Sequence, residues 1–267
     1  MLRPILSSAI LLSLIILIAG CTDEGDIVHV DKQEFSLDDQ LILGDYVADY
    51  ISGDPLNFPL VNANAHPQVY DYLNSIFRSV VLTEQIQTRN KFRWEIFPIE
   101  DDNSALAYTA PGGKFFITTG MLQFLETESE LMSIMASEIY YTDRDYLTSM
   151  IKDEYGGVMM GDIIFGYEVP EIKDIALFLK DAAFSPEVVS QADKTALEIL
   201  CPFNYDMESL GRLIERSYKN KEQVQWIQKR KRADTWPTIL RAKVSDCPSS
   251  SGQRFRARYQ EFKSLLP

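Results

Sequence analysis

One stretch of the chain decides its fold: residues 106–122 read LAYTAPGGKFFITTGML. Leu106 to Thr109 is a short strand candidate, and Pro111 to Gly113 is typical of a turn. Lys114 to Thr118 is a second strand candidate, with alternating side chains that point to opposite faces. A long helix is predicted from Met121 to Asp145, and its apolar stripe is too wide for a surface helix. The stretch therefore predicts two strands that lead into a buried helix.

The flanking sequence extends this pattern in both directions. Phe92 to Ile99 alternates aromatic and polar residues, which is typical of a third strand. Apolar residues recur at helical spacing in several other segments. These predicted helices are Gln40–Ile51, Gln68–Thr88, Pro170–Ala182, Pro186–Leu200, Met207–Tyr218 and Ser251–Leu265, with a Gly- and Met-rich loop at Gly156–Pro170. The fold class predicted is α+β, with a small sheet packed on the long helix and covered by further helices.

Composition narrows the classes of function. The chain has 267 residues, 46% of them hydrophobic, so it is long and apolar enough to bury a core. Its net charge of -13 argues against nucleic acid as a partner and against electrostatic binding to anionic lipid. The basic run Lys229 to Arg232 is the exception, and we expect it to be a solvated helix end.

The first twenty residues have the features of an export signal. Arg3 precedes an apolar run from Ile5 to Ala19, which is short for a membrane-spanning helix. Small residues then precede Cys21, as in a bacterial lipobox, where the chain is cut before a cysteine that becomes lipidated. The alternative is an uncleaved anchor with an incidental cysteine. We expect a signal peptide at 1–20, an acidic tether at 21–39 and a folded domain at 40–267.

This arrangement predicts a lipid-anchored protein on the periplasmic side of the bacterial cell envelope. Thr22 follows the cysteine, and the absence of Asp there favours the outer membrane. Two further cysteines, Cys201 and Cys247, predict a disulfide in that oxidising compartment. Closing their loop contributes roughly 4 kcal/mol in the chain-entropy model. The alternative is two separate buried thiols.

Three sequence blocks, in order, carry a resemblance to a known family. The first is 106–113 followed by Thr119-Gly120-Met121-Leu122, and the second is Ala136-Ser137-Glu138-Ile139-Tyr140-Tyr141. The third comprises Gln191-Ala192-Asp193 and Thr235-Trp236-Pro237, with Arg241 downstream. Together they resemble the HtpX/BepA-like zinc metallopeptidases, metallopeptidase family forty-eight. The resemblance implies a zincin-like fold in which one helix carries His-Glu-Ile-Gly-His.

The zinc ligands that the family carries are replaced in this chain. A catalytic zinc needs three protein ligands and an open position for water. By the resemblance, Ser137 and Tyr141 stand at the two histidine positions, and Val189 stands at the third ligand position. Glu138 alone remains, at the general-base position. We therefore expect a degenerate member with no cofactor, in which Glu138 is a vestigial general base.

The same resemblance gives supporting roles to three residues. Asp193 keeps a supporting position, Trp236 replaces an auxiliary histidine, and Arg241 matches a downstream arginine. We expect Tyr141, Val189 and Trp236 to fill the former metal cavity, because an empty cavity destabilises the fold. The alternative is that these residues are on the surface.

Two classes of function follow. In metallopeptidases of this fold the substrate pairs with an exposed edge strand, which the resemblance assigns to Lys114, Phe115, Phe116, Ile117 and Thr118. The first hypothesis is a module that binds a peptide or envelope protein there without cleaving it, or a scaffold with no peptide groove. The alternative is a metalloendopeptidase with a non-standard metal site built from carboxylates, which favour hard cations.

Overall fold

A computed structural model describes residues 35–167, 169–230 and 252–267. No helix in these ranges is long and apolar enough to cross a membrane. Several predictions lie outside them and stay predictions: the signal peptide, lipidation of Cys21, most of the tether, and the roles of Trp236 and Arg241. The predicted disulfide also stays a prediction, because Cys247 is outside the described ranges.

The sheet has the three predicted strands. They are β1 (Glu95–Ile99), β2 (Ala107–Ala110) and β3 (Lys114–Thr118). Their order is β1-β3-β2, with β1 parallel to β3 and β2 antiparallel to it. A short 3-10 turn at Pro111–Gly113 joins β2 to β3, and Gly112 has φ 69°, a conformation that glycine adopts without a steric cost.

The described residues also form helices before and after the sheet. They are α1 (Leu37–Gly53), α2 (Pro67–Val81), α3 (Thr119–Phe124), α4 (Glu128–Asp143), α5 (Tyr146–Tyr155), α6 (Gly157–Ile164), α7 (Ile172–Asp181), α8 (Pro186–Leu200), α9 (Glu208–Lys219), α10 (Gln225–Gln228) and α11 (Arg256–Lys263). Together with the small sheet they confirm the α+β, zincin-like fold class.

Helix α1 begins inside the segment predicted to be a tether. Ser36 caps it, accepting a hydrogen bond from the Asp39 backbone N–H at 3.1 Å, while the Asp39 carboxylate accepts from the Ser36 backbone N–H at 2.8 Å. This reciprocal capping box fixes the start at Leu37. The folded domain therefore starts earlier than the predicted residue 40.

The long predicted helix from Met121 to Asp145 is two helices, α3 and α4. Leu125 between them has an extended backbone, with ψ 144°. Thr127 then caps α4 by accepting a hydrogen bond from the Glu130 backbone N–H at 3.2 Å. All residues of α4 are buried, as its wide apolar stripe predicted.

The predicted loop at 156–170 contains helix α6, so that prediction was wrong for its first half. Met160 and Ile163 are both fully buried, one helical turn apart, and attach the helix to the core. Tertiary packing here outweighs the low helix propensity of Gly157 and Gly161.

Both faces of the sheet are covered. Phe115 and Ile117 face a core shared with α2, α4 and α9, whereas Phe116 faces a core shared with α1 and α5 to α7. This alternation matches the sequence prediction for β3. Helix α11 closes the first core with Tyr259 and Phe262. The sheet thus lies inside the molecule and fixes α4 against it.

Candidate functional site

The residues that the resemblance places at ligand and supporting positions come together between α4 and α8. Ser137, Glu138 and Tyr141 lie on α4, and Val189 and Asp193 lie on α8. Their exposed fractions are 0%, 2%, 1%, 3% and 1% respectively, so the site is in the core and not in a cleft. Tyr141 and Val189, two of the three residues predicted to fill a former metal cavity, are thus buried and not on the surface, and Trp236 lies outside the described ranges.

A side chain that sequence reasoning did not select lies at the centre of this site. The guanidinium of Arg230 donates to Ser137 Oγ at 3.0 Å and to Tyr141 Oη at 3.4 Å. It also donates to a carboxylate oxygen of Asp193, and it lies 3.7 Å from Glu138 Oε1. The arginine is only 4% exposed. One organic cation therefore contacts both α4 positions where the family carries histidine, together with two carboxylates.

The charge of Arg230 is retained although the residue is buried. Burial acts against the cation, but Asp193, Tyr141 and Glu138 together raise its pKa above the ordinary arginine value. The planar guanidinium also lies over the indole ring of Trp226, 4.5 Å from its centroid. Hydrogen bonds, ion pairing and this cation–π contact together hold the group in place.

The carboxylate of Glu138 is buried and contacts protein groups. Its Oε1 accepts a hydrogen bond from Trp226 Nε1 at 2.7 Å. Burial raises the pKa of this carboxyl, while Lys229, Arg230 and the indole hydrogen bond act in the opposite direction. The hydrogen-bond donor that the structure supplies to this buried carboxylate is thus the indole of Trp226.

The basic run at 229–232 is not a solvated helix end in the part that the structure describes. Lys229 is 7% exposed, and its Nζ donates to the backbone carbonyl of Ala107 at 3.0 Å. Burial lowers the pKa of Lys229, which Glu138 partly offsets. The prediction was wrong for Lys229 and Arg230, because a cation is tolerated in a core that supplies carboxylates and carbonyl oxygens.

Apolar groups complete the filling of the site. The ring of Tyr141 stacks on Phe184 with centroids 3.6 Å apart. Val189 lies in the same core cluster. Burial raises the pKa of Tyr141, so its hydroxyl stays neutral at physiological pH. A neutral phenol and an aliphatic side chain are poor zinc ligands.

The assignment of β3 as a peptide-binding edge strand was wrong. Lys114 to Thr118 form the central strand, because β1 pairs along one side of it and β2 along the other. The edge next to the site belongs to β2, and the segment 224–230 covers part of it. The Trp226 backbone N–H donates to the Ala105 carbonyl, just before β2, at 3.1 Å, and Lys229 reaches Ala107 on β2.

These residues do not fit zinc. In the described ranges no group of three or more His, Cys, Asp or Glu side chains is arranged to hold a metal ion. At the three ligand positions stand a hydroxyl, a neutral phenol and an aliphatic group. The two carboxylates nearby, Glu138 and Asp193, already face Arg230, whose positive charge opposes a second cation.

The sequence analysis did not select Arg230 or Trp226, because the basic run Lys229 to Arg232 was predicted to be a solvated helix end. The signal available was Val224, Trp226 and Ile227, large apolar residues directly before the basic run. All three are buried. They bring the following basic side chains into the core.

Comparison with known proteins agrees with this architecture. Residues 67–160, from α2 to α6, match the description "Peptidase family M48". The chain is 23% identical, over 196 residues, to the "Beta-barrel assembly-enhancing protease" of Escherichia coli K12, and equally to those of Shigella flexneri and Escherichia coli O157:H7. The alignment covers 68% of this chain and 38% of each relative. The chain thus spans less than half the length of these curated relatives.

The match also corrects one expectation. The family depends on zinc, so the expectation that the protein has no cofactor conflicts with the cofactor of its family and is withdrawn. The residues predicted at the ligand positions, Ser137, Tyr141 and Val189, supply a hydroxyl, a neutral phenol and an aliphatic group. The three sequence blocks, the order of strands and helices, and these matches agree in relating the chain to peptidase family M48, whose model covers residues 67–160.

Proposed function

We propose that this protein is a metallopeptidase relative that has lost peptide hydrolysis and acts as a protein-binding module of the bacterial cell envelope. The observation that carries the proposal is Arg230. Its guanidinium lies among Ser137, Tyr141, Glu138 and Asp193, where a peptidase needs an open metal coordination site.

Catalysis in this fold needs a water molecule, a base and room for the scissile amide. The base position, Glu138, is 2% exposed and accepts a hydrogen bond from Trp226. Tyr141 and Phe184 stack across the adjoining space. The burial of this carboxylate and its hydrogen bond to an indole are unfavourable for activating water at a substrate amide, which supports the loss of hydrolysis.

The proposed location in the bacterial cell envelope is supported by the N-terminal sequence and by the name of the relatives. The relatives' printed name describes proteases that enhance β-barrel assembly, and we carry only the assembly context to this chain, as a proposal. Lipid on Cys21 would attach the protein to a membrane, with the outer membrane favoured by Thr22. The partner would be a peptide or an envelope protein.

Loss of hydrolysis is tested by incubating the purified full chain with casein, with added zinc and separately with a chelator. The matched variant is Glu138→Gln, which removes the carboxylate at the predicted general-base position while keeping its shape. We expect casein cleavage to be at background for both proteins under both conditions. Cleavage that the chelator abolishes and that Glu138→Gln loses would establish the alternative, a metalloendopeptidase with a non-standard metal site.

Membrane attachment is tested separately with Cys21→Ser. We expect the wild-type chain to be labelled by a radioactive fatty acid and to lose residues 1–20, and the variant to be unlabelled and to keep them. A wild-type chain that is unlabelled and keeps residues 1–20 would support the uncleaved anchor instead.

A further inference from the structure

A groove lies on a different part of the surface, formed by α5, α6 and the segment that leads to α7. Its volume is about 660 Å³, and it is lined by Tyr155, Val158, Met159, Asp162, Tyr167, Val169, Pro170 and Glu171. This volume is within the usual range of about 300–1,000 Å³ for binding pockets in proteins. None of the residues in the buried site around Arg230 contributes to it.

Two of the apolar side chains that line the groove are exposed to solvent: Val158 is 83% exposed and Tyr167 63%. Phe165, which lies between them in sequence at the end of α6, is 80% exposed. Single exposed apolar residues are ordinary, but three within ten residues of sequence form a local patch. The helix backbone beside them is open as well, because a Cβ added at Gly157 or Gly161 would meet no atom within 4 Å.

The charged side chains that line the groove are all acidic. The carboxylates of Asp162 and Glu171 line it, and neither forms an ion pair within the described ranges. Asp174 and Glu154 add to the negative potential. Together with burial, both carboxylates raise the pKa of Tyr155, which lines the groove. The surface is therefore apolar and acidic together, which fits a cationic amphipathic ligand and opposes an anionic membrane.

We propose that this groove binds a short amphipathic segment of a partner protein that presents apolar side chains and at least one lysine or arginine. Apolar side chains would cover Val158, Phe165 and Tyr167, and the cation would pair with Asp162 and Glu171. The proposal deepens the protein-binding role proposed above, and it does not depend on whether the chain hydrolyses peptides. The groove also offers a binding surface that remains available when segment 224–230 covers β2.

The test uses two fluorescein-labelled peptides of two heptads each. One repeats Leu-Lys-Lys-Leu-Leu-Lys-Leu, and the other has glutamate in place of every lysine. Binding to the full chain is followed by fluorescence anisotropy. We expect saturable binding of the lysine peptide at one per chain, and at least roughly tenfold weaker binding of the glutamate peptide, a difference of about 1.4 kcal/mol.

Paired variants locate the binding surface. Val158→Ser/Phe165→Ser and Asp162→Asn/Glu171→Gln each should weaken binding of the lysine peptide by at least roughly tenfold, or about 1.4 kcal/mol. The matched apolar control is Leu56→Ser/Leu82→Ser, at side chains 94% and 66% exposed elsewhere. The matched charge control is Asp71→Asn/Glu84→Gln, on and after α2. Neither control should change the affinity.

Three results would overturn the proposal. Equal weakening by the two charge pairs would show general attraction to an acidic protein. Binding unchanged by the groove variants would place the peptide elsewhere. Sedimentation with phosphatidylcholine vesicles that Val158→Ser/Phe165→Ser abolishes, without peptide binding, would make the patch a lipid contact. Casein hydrolysis would contradict the proposed loss of catalysis but would not affect the measurements of peptide or vesicle binding. The two proposals can therefore fail separately.

Discussion

Arg230 is the residue on which the buried site depends most. Replacing it with methionine keeps much of the volume but leaves the carboxylates of Asp193 and Glu138 without their cation. Removing one partner of a buried ion pair destabilises a protein by about 3–5 kcal/mol. We expect Arg230→Met to lower the free energy of unfolding by this amount, measured by urea denaturation.

The control for this prediction is an exposed arginine. Arg93 pairs with Asp45 at 2.9 Å, but its side chain is 69% exposed. Arg93→Met should change the free energy of unfolding by less than about 1 kcal/mol, because water screens surface pairs. Equal effects of the two substitutions would mean that Arg230 is not buried among charges.

Glu138 gives a prediction about pH. Burial raises its pKa in the folded state, with Lys229, Arg230 and Trp226 acting against the shift and Asp193 acting with it. The folded state thus holds the proton more tightly than the unfolded state does. The stability contributed by this group is present below the ordinary glutamic acid pKa and is lost as pH rises through the raised value.

The matched variant for that prediction is Glu138→Gln, whose side chain does not titrate. As pH rises above the ordinary glutamic acid pKa, the wild type should lose stability relative to the variant in urea denaturation. If the wild type instead gained stability relative to Glu138→Gln over this range, the neighbouring cations would outweigh the burial of the carboxyl.

At the scale of elements, α1 fixes the turn that aligns β2 with β3. Gly44 lies against that turn, and a Cβ added to it would approach the Pro111 carbonyl oxygen to 2.0 Å, well inside contact distance. Gly53, at the end of the same helix, has no atom within 4 Å of its added Cβ. One helix therefore contains a glycine required by packing and a glycine that packing does not require.

This difference predicts opposite signs for the same substitution. Gly44→Ala should destabilise the protein by about 1–3 kcal/mol, because backbone must move to admit the methyl group. Gly53→Ala should stabilise it by up to about 1 kcal/mol through helix propensity. Thermal unfolding of both variants checks the pair, and a stabilised Gly44→Ala would contradict the close packing of α1 on the turn.

The elements also show what local sequence does and does not determine. The three strands were predictable because turn residues and alternating side chains bound them closely. The division of the long helix at Leu125 was not predictable from the sequence. The apolar stripe continues across the division without a break, although Thr127 caps the second helix. Helix α6 was missed because its glycines disfavour a helix locally, and only the burial of Met160 and Ile163 stabilises it.

For the whole molecule, the fold class followed from the sequence blocks that resemble the family, and the assignment of Ser137, Tyr141 and Val189 to ligand positions stays a prediction. Sheet order did not follow, because strand pairing is set by contacts between distant residues. The occupant of the site did not follow either. Arg230 is 93 residues from Ser137 in sequence, and only the folded chain brings the two side chains together.

A protein cation, Arg230, lies among the residues predicted at the metal-binding positions of the family. This arrangement is tested by a crystal structure of the protein grown with zinc, with anomalous diffraction data collected at the zinc absorption edge. We expect guanidinium density in contact with Ser137, Tyr141 and Asp193, and no anomalous peak between α4 and α8. A peak about 2.0–2.2 Å from the oxygen of Ser137, Glu138 or Asp193, with Arg230 displaced, would contradict it.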